Sequence, residues 1–124
     1  MEVVTTDRAP QAIGPYSQAI KHNGIIFVSG QIPLEPGSGQ LVTGSISEQA
    51  RRVLMNVSAI LQEAGSNLDK VLKTTVYLTD MGEFDEMNKV YGEFFAHNKP
   101  ARATVQVTRL PKGVSIEIDA IAAE

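Results

Sequence analysis

Two residues toward the end of this 124-residue chain have side chains suited to substrate chemistry, Arg102 and Glu117. The planar guanidinium of an arginine binds a carboxylate through two parallel hydrogen bonds, fixing orientation as well as charge. A glutamate can orient water or carry a proton. In extended backbone, successive side chains alternate between faces. Arg102, Thr104 and Gln106 therefore share one face, Ala103, Val105 and Val107 occupy the other, and Glu117 falls opposite Ile116 and Ile118. An arginine and a glutamate on one sheet also form ordinary surface ion pairs, so these two residues by themselves leave both readings open.

A second group surrounds Asn23-Gly24, a dipeptide whose residues both accept the positive φ of a type I′ hairpin turn. It should join Ser17–His22 to Ile25–Ser29. In that register His22 faces Ile25, Gln18 faces Ser29 and Tyr16 lies opposite Gln31, which makes the Tyr16 ring, the Ser29 hydroxyl and the Gly30 backbone neighbours. A tyrosine packed beside a turn would look the same. Asn88 brings an amide to the apolar side of a helix, where it must find a partner, either a backbone group or a ligand. His97 reads as a residue near a helix C-terminus. Neither it nor His22 has a metal-ligand spacing.

The elements that must position these residues are marked by periodicity. Ile46, Ala50, Val53, Leu54, Val57, Ile60, Leu61 and Ala64 recur at helical spacing, with Ser45 and Glu48 as a capping box and Gly65 as the stop. A second stripe, Phe84, Met87, Tyr91, Phe94 and Phe95, begins after Asp80 as N-cap and ends before Pro100. Between them Val71–Leu78 alternates as a strand, with Leu72, Thr74, Val76 and Leu78 on its more apolar face. Downstream, Ala101–Leu110 and Val114–Ile121 flank Pro111-Lys112-Gly113, which predicts a second hairpin. Its register would set Glu117 opposite Gln106 or Val107, roughly 13 to 17 Å along the strand from Arg102. At that spacing the two groups of one chain would not comfortably flank a four-carbon substrate unless a bulge or a wider loop shortens the gap. The order is strands, helix, strand, helix, two strands. Both helices should pack on one sheet face, leaving the other to be covered, for example by a partner subunit.

Composition narrows the function classes. The chain has no cysteine, which excludes disulfides and thiolate chemistry, and its formal net charge of -3 with a pI near 5.4 offers no basic field for nucleic acid. No apolar run approaches the roughly 18 residues of a membrane span, and no secretory signal pattern is seen. The expectation is a single cytoplasmic domain over residues 1–124, without metal or cofactor.

Taken together, Ile13-Gly14-Pro15-Tyr16-Ser17-Gln18, Ser29-Gly30-Gln31-Ile32-Pro33, and Pro100-Ala101-Arg102 followed by Ile116-Glu117-Ile118 resemble the RidA/YjgF family of reactive-intermediate deaminases. The resemblance spans essentially the whole chain. It implies an α+β, chorismate-mutase-like fold with one mixed sheet, two helices on one face, and a homotrimer with ligand clefts between subunits. It also implies hydrolysis of 2-imino and enamine acids, such as 2-iminobutanoate and 2-iminopropanoate, to 2-keto acids and ammonia. Arg102 would hold the substrate carboxylate and Glu117 would position the attacking water. Tyr16, Ser29, Gly30, Asn88 and Thr104 match the family's substrate-binding positions. Many relatives carry cysteine where this chain has Thr104, so a thiol mechanism is impossible here, while a backbone carbonyl contact is retained. Two rival expectations are a non-catalytic trimer that senses a keto acid or regulates a partner, and an endoribonuclease or translation inhibitor.

Overall fold

A computed structural model describes residues 1–124. Eight principal elements follow in order: β1 (Glu2–Val4), β2 (Ala19–His22), β3 (Ile25–Gln31), α1 (Ile46–Glu63), β4 (Val71–Leu78), α2 (Phe84–Phe94), β5 (Ala101–Gln106) and β6 (Ile116–Ala123). The strands form one six-stranded mixed sheet in the order β1-β2-β3-β6-β4-β5. β6 runs antiparallel to both β3 and β4, so β3 and β4 point the same way, and β5 lies parallel to β4. Two crossovers, β3-α1-β4 and β4-α2-β5, thus advance across the sheet in one direction. Parallel crossovers are right-handed, and two of the same hand and direction place their helices on the same face.

The apolar stripes meet the sheet on that face. Ile46, Val53, Leu54, Val57, Ile60 and Leu61 of α1 are each at most 2% exposed, against Ile26, Val76, Leu78, Ile116 and Ile118 of the strands. Each such side chain contributes about 1.5 to 3 kcal/mol of burial. Ser45 caps α1, its Oγ accepting from Glu48 N at 3.2 Å, and Gly65 follows the helix at φ +83°. The hairpin at Asn23-Gly24 forms as expected, both residues at positive φ, with His22 opposite Ile25. Ser29 N donates to Gln18 O at 2.9 Å, continuing that register past the end of β2.

Three expectations are corrected. Asp80 caps a short 3₁₀ turn, Met81–Glu83, by accepting from Gly82 N at 2.8 Å, and α2 starts after it with no side-chain cap. Leu72 does not lie on the buried face of β4: the register with β6 shifts between Val71 and Lys73, burying Val71 and leaving Leu72 48% exposed. The largest difference is at the C-terminal end, where β5 and β6 do not form a hairpin. β4 lies between them, and Pro111–Gly113 is a 3₁₀ turn with Lys112 and Gly113 at positive φ, within a connection that passes over β4. The local turn chemistry is as expected, but β4 offers β5 a parallel partner and β6 an antiparallel one. Glu117 therefore faces Tyr77, and Tyr77 in turn faces Val105.

The opposite sheet face carries no helix. Val3, Phe27 and Val105 stand there at 55%, 48% and 41% exposure, and Ile20 and Ile121 are half-buried beside them. No helix is long and apolar enough to cross a membrane.

The segment leading into β2 is held by one buried amide. Gln18 Oε1 accepts from Thr6 N at 2.7 Å, while Nε2 donates to Thr6 O at 3.0 Å and Pro10 O at 2.7 Å. Gln18→Ala should cost about 1 to 3 kcal/mol in denaturant unfolding, because backbone groups lose their partner without gaining water. Hydrogen exchange at the Thr6 amide should accelerate, and unchanged protection there would contradict this latch.

Candidate functional site

Arg102 and Thr104 project from β5 on the helix side of the sheet, because their register partners Thr74 and Val76 are buried against the helices. Glu117 belongs to the other set: its partner Tyr77 alternates with those residues, so Glu117 projects from the open face. Within one chain the two chemically prominent groups are thus on opposite faces. Two strand spacings and three residues separate their backbones, roughly 14 Å. Each lines a cleft of its own.

The Arg102 cleft, about 530 Å³, is bordered by Asn88, Tyr91, Gly92, Phe95, Lys99 and Arg102. Arg102 Nη1 donates to Asn88 Oδ1 at 2.7 Å. Its guanidinium carbon stands 4.7 Å from the Tyr91 ring centroid and 5.5 Å from that of Phe84. Tyr91 is fixed in turn by a buried 2.7 Å hydrogen bond with Thr74 Oγ1 and by packing on Phe95 at 4.6 Å between centroids. Burial raises the Tyr91 phenol above its ordinary pKa, although the Thr74 bond and the Arg102 charge oppose the rise. None of the chain's ion pairs involves Arg102. Its orientation comes from an amide and two rings, which leave its charge and outward donors available to an anion. Asn88, expected as an amide to be satisfied on an apolar face, is exposed at the edge of the stripe, and its oxygen serves the arginine.

The Glu117 cleft, about 410 Å³, includes Ile13, Tyr16, Gln18, Gly30, Gln31, Lys112 and Glu117. Glu117 is half-buried, and burial foremost, then the charge of Asp119, raises its pKa above the usual carboxylate value. The absence of a side chain at Gly30 gives the Glu117 carboxylate its room: a Cβ added there would stand 2.8 Å from Glu117 Cδ and displace Oε2. The close approach falls where the β3–β6 register shifts, between Val28 and Gln31. Ile13 and Tyr16 rim the cleft at 84% and 55% exposure. From behind, the fully buried Asn56 of α1 braces the wall, donating to Leu34 O at 3.0 Å while its oxygen accepts from Arg52 Nη2 at 2.9 Å.

The residues singled out from the sequence thus fall into two groups, Arg102 with Asn88, and Glu117 with Tyr16 and Gly30. Ser29 sits beside the second, but its hydroxyl donates to Ser17 O at 2.6 Å. Thr104 lies outside both clefts, and its Oγ1 is buried with no hydrogen-bond partner. Sequence reasoning placed Tyr91 only in a core stripe and missed its contact with Arg102; a tyrosine three residues after Asn88 on that stripe was the available signal. Gln31 and Lys112, strand and turn residues by their sequence pattern, also line the Glu117 cleft.

Comparison with known proteins places this geometry. Residues 6–124 match the family model described as Endoribonuclease L-PSP. A RutC family protein of Pyrococcus abyssi is 56% identical over 98% of this chain and 95% of its own length. The human 2-iminobutanoate/2-iminopropanoate deaminase is 49% identical over 97% of this chain and 88% of its own length. Among solved structures, yeast Mmf1 superposes with a TM-score of 0.97 at 47% identity, covering 99% of this chain and 98% of that one. E. coli TdcF with bound serine does so with a TM-score of 0.96 at 42% identity, covering 100% and 99%. With its sheet order, its shared helix face and its motifs matched along nearly its whole length, this chain belongs to the RidA/YjgF family.

Proposed function

We propose that this protein hydrolyses small 2-imino acids, such as 2-iminobutanoate and 2-iminopropanoate, to 2-keto acids and ammonia, in clefts shared between the subunits of a homotrimer. The observation that carries the reading is the placement of Arg102 and Glu117. Each sits in an open cleft, one with a carboxylate-binding fork and the other with a proton-carrying group, on opposite faces of one sheet. Neither cleft has both. A neighbouring copy that presents its Arg102 edge to this chain's Glu117 cleft completes the set. Such a contact joins two different patches, so it is head-to-tail, and where its rotation closes it forms a ring, of which the trimer is the family's form. The exposed Ile13 and Tyr16 at the rim, and Val3, Phe27 and Val105 on the helix-free face, supply apolar surface for the contact. The name of the human relative supports the substrate class.

The chemistry needs positioning and proton transfer. Arg102, held by Asn88 and its two rings, orients the substrate carboxylate. Water adds to the carbon of the protonated imine as Glu117 takes one of its protons, and the C=N π pair moves to nitrogen, giving a neutral carbinolamine. Glu117 returns that proton to the nitrogen. The carbinolamine oxygen then forms C=O as ammonia departs, and the hydroxyl proton passes through Glu117 to give ammonium. A carboxylate whose proton affinity is raised by burial suits both halves of this exchange.

Added to a threonine dehydratase reaction, the protein should speed 2-ketobutyrate formation beyond the spontaneous rate. No acceleration at stoichiometric amounts would favour a non-catalytic sensor. Glu117→Gln should lower turnover roughly 100-fold or more by removing the proton carrier, while 2-ketobutyrate binding and the assembly, followed by light scattering, persist; full activity would remove Glu117 from the reaction. Mixing inactive Arg102→Ala and Glu117→Ala proteins under conditions that exchange subunits should restore partial activity, since some clefts then hold both native residues. Verified mixed assemblies with no activity would defeat the shared-cleft assignment.

A further inference from the structure

Glu117 is not the only acid on the open face. Asp119 projects from the same side of β6 two residues along, half-buried, and Tyr77 stands on the same face of β4 opposite Glu117. The Tyr77 hydroxyl donates to Asp119 Oδ2 at 3.1 Å. Two carboxylates and a phenol are thus gathered on adjacent strands of the open face, Glu117 in its cleft with Asp119 and Tyr77 beside it, and the hydrolysis described above uses only Glu117. A second acid held by a directed hydrogen bond beside a proton-carrying acid has a definite electrostatic effect: its charge disfavours ionisation of its neighbour and makes that carboxylate a stronger base.

We propose that Asp119, anchored by the Tyr77 hydroxyl, is a positioning residue of the reaction site that acts through Glu117, strengthening its capture of a proton from the attacking water. The assignment rests on the imino-acid reading and adds to it the origin of the basicity that the reaction requires. The ionisable groups around Glu117 are consistent with this role. They are Asp119 on its own strand, Tyr77 and Lys73 on the same face of β4, Tyr16 from the N-terminal segment and Lys112 from the turn before β6. β3 contributes no ionisable side chain to this cleft, and the helices lie on the other side of the sheet. The charge of Asp119 follows burial as a cause of the elevated Glu117 pKa, and the Tyr77 phenol is raised in its turn by burial, then by its bond to Asp119 and the nearby acidic charges.

The test is the dependence of kcat/KM on pH for 2-iminobutanoate supplied by the same generating enzyme. Every variant then meets the same substrate, so the substrate's own titration cancels in the ratio of variant to wild type. Asp119→Asn should lower the plateau several-fold and move the acid limb to lower pH, so that the ratio to wild type rises as pH falls. Inhibition by 2-ketobutyrate, which reports on the arginine side of the cleft, should be unchanged at the plateau. Asp119→Glu, which keeps the charge, should restore the wild-type limb, and Tyr77→Phe should shift it in the same direction as Asp119→Asn but less. A ratio constant across pH, or an Asp119→Glu profile matching that of Asp119→Asn, would overturn the role. Wild-type protein without turnover at any pH would instead remove the imino-acid reading and this assignment with it.

Discussion

The insertion of β6 between β3 and β4 is the constraint on which the rest of the structure depends. β3 and β4 are parallel and not adjacent, and the antiparallel β6 fills the space between them with both ladders satisfied. Alternate residues of β6, Ile116, Ile118, Ala120 and Ala122, close the core under the helices, each at most 2% exposed. The intervening residues, Glu117 and Asp119 among them, must then look out of the opposite face. The position of the acid is a consequence of how the core is closed. Shifting the register by one residue would put a carboxylate into the core and an isoleucine into the cleft.

The helix side is organised around a cation instead. Arg102 stands on an edge strand, where a guanidinium keeps access to solvent, and rests on side chains of α2. Tyr91 joins this cation to the core: one surface packs with Phe95, its hydroxyl meets Thr74 of β4, and its ring carries the guanidinium. Arginine rotamers are costly to immobilise, and a neutral platform immobilises this one without cancelling its charge. A carboxylate in place of Asn88 would hold it as firmly and compete with any anionic ligand.

Much of this was legible in the sequence because it is local. Helical stripes, the Ser45 cap, the Asn23-Gly24 turn and the alternation of Val71–Leu78 depend on residues a few positions apart. The separation of Arg102 from Asn88 and of Glu117 from Tyr16 and Gly30 depends on which strands pair. Pro111-Lys112-Gly113 forms a tight turn whether the flanking strands pair with each other or each with β4, so it could not decide between hairpin and crossover. The displaced Leu72 has the same origin, since a register shift is a property of two strands and the alternating pattern was read from one. The Tyr77–Asp119 pair, 42 residues apart, has no local signature at all.

The two clefts differ in charge as well as in face, and this bears on how copies could meet. Arg102 and Lys99 make one cationic, while the acid of the other is Glu117, with Lys112 at the rim and Asp119 two residues along the same sheet face. A contact between two like clefts would face arginine with arginine or acid with acid, at a cost that grows as water is excluded. A contact between unlike clefts pairs the charges and sets the carboxylate-binding group of one copy across from the proton-carrying group of the next. Under the proposed reaction the same polarity orients the substrate: its carboxylate is drawn to the cationic side, and its imine, on the adjacent carbon, is left toward the acid. The electrostatics that favour head-to-tail assembly are therefore those that would place a small 2-imino acid for attack by water.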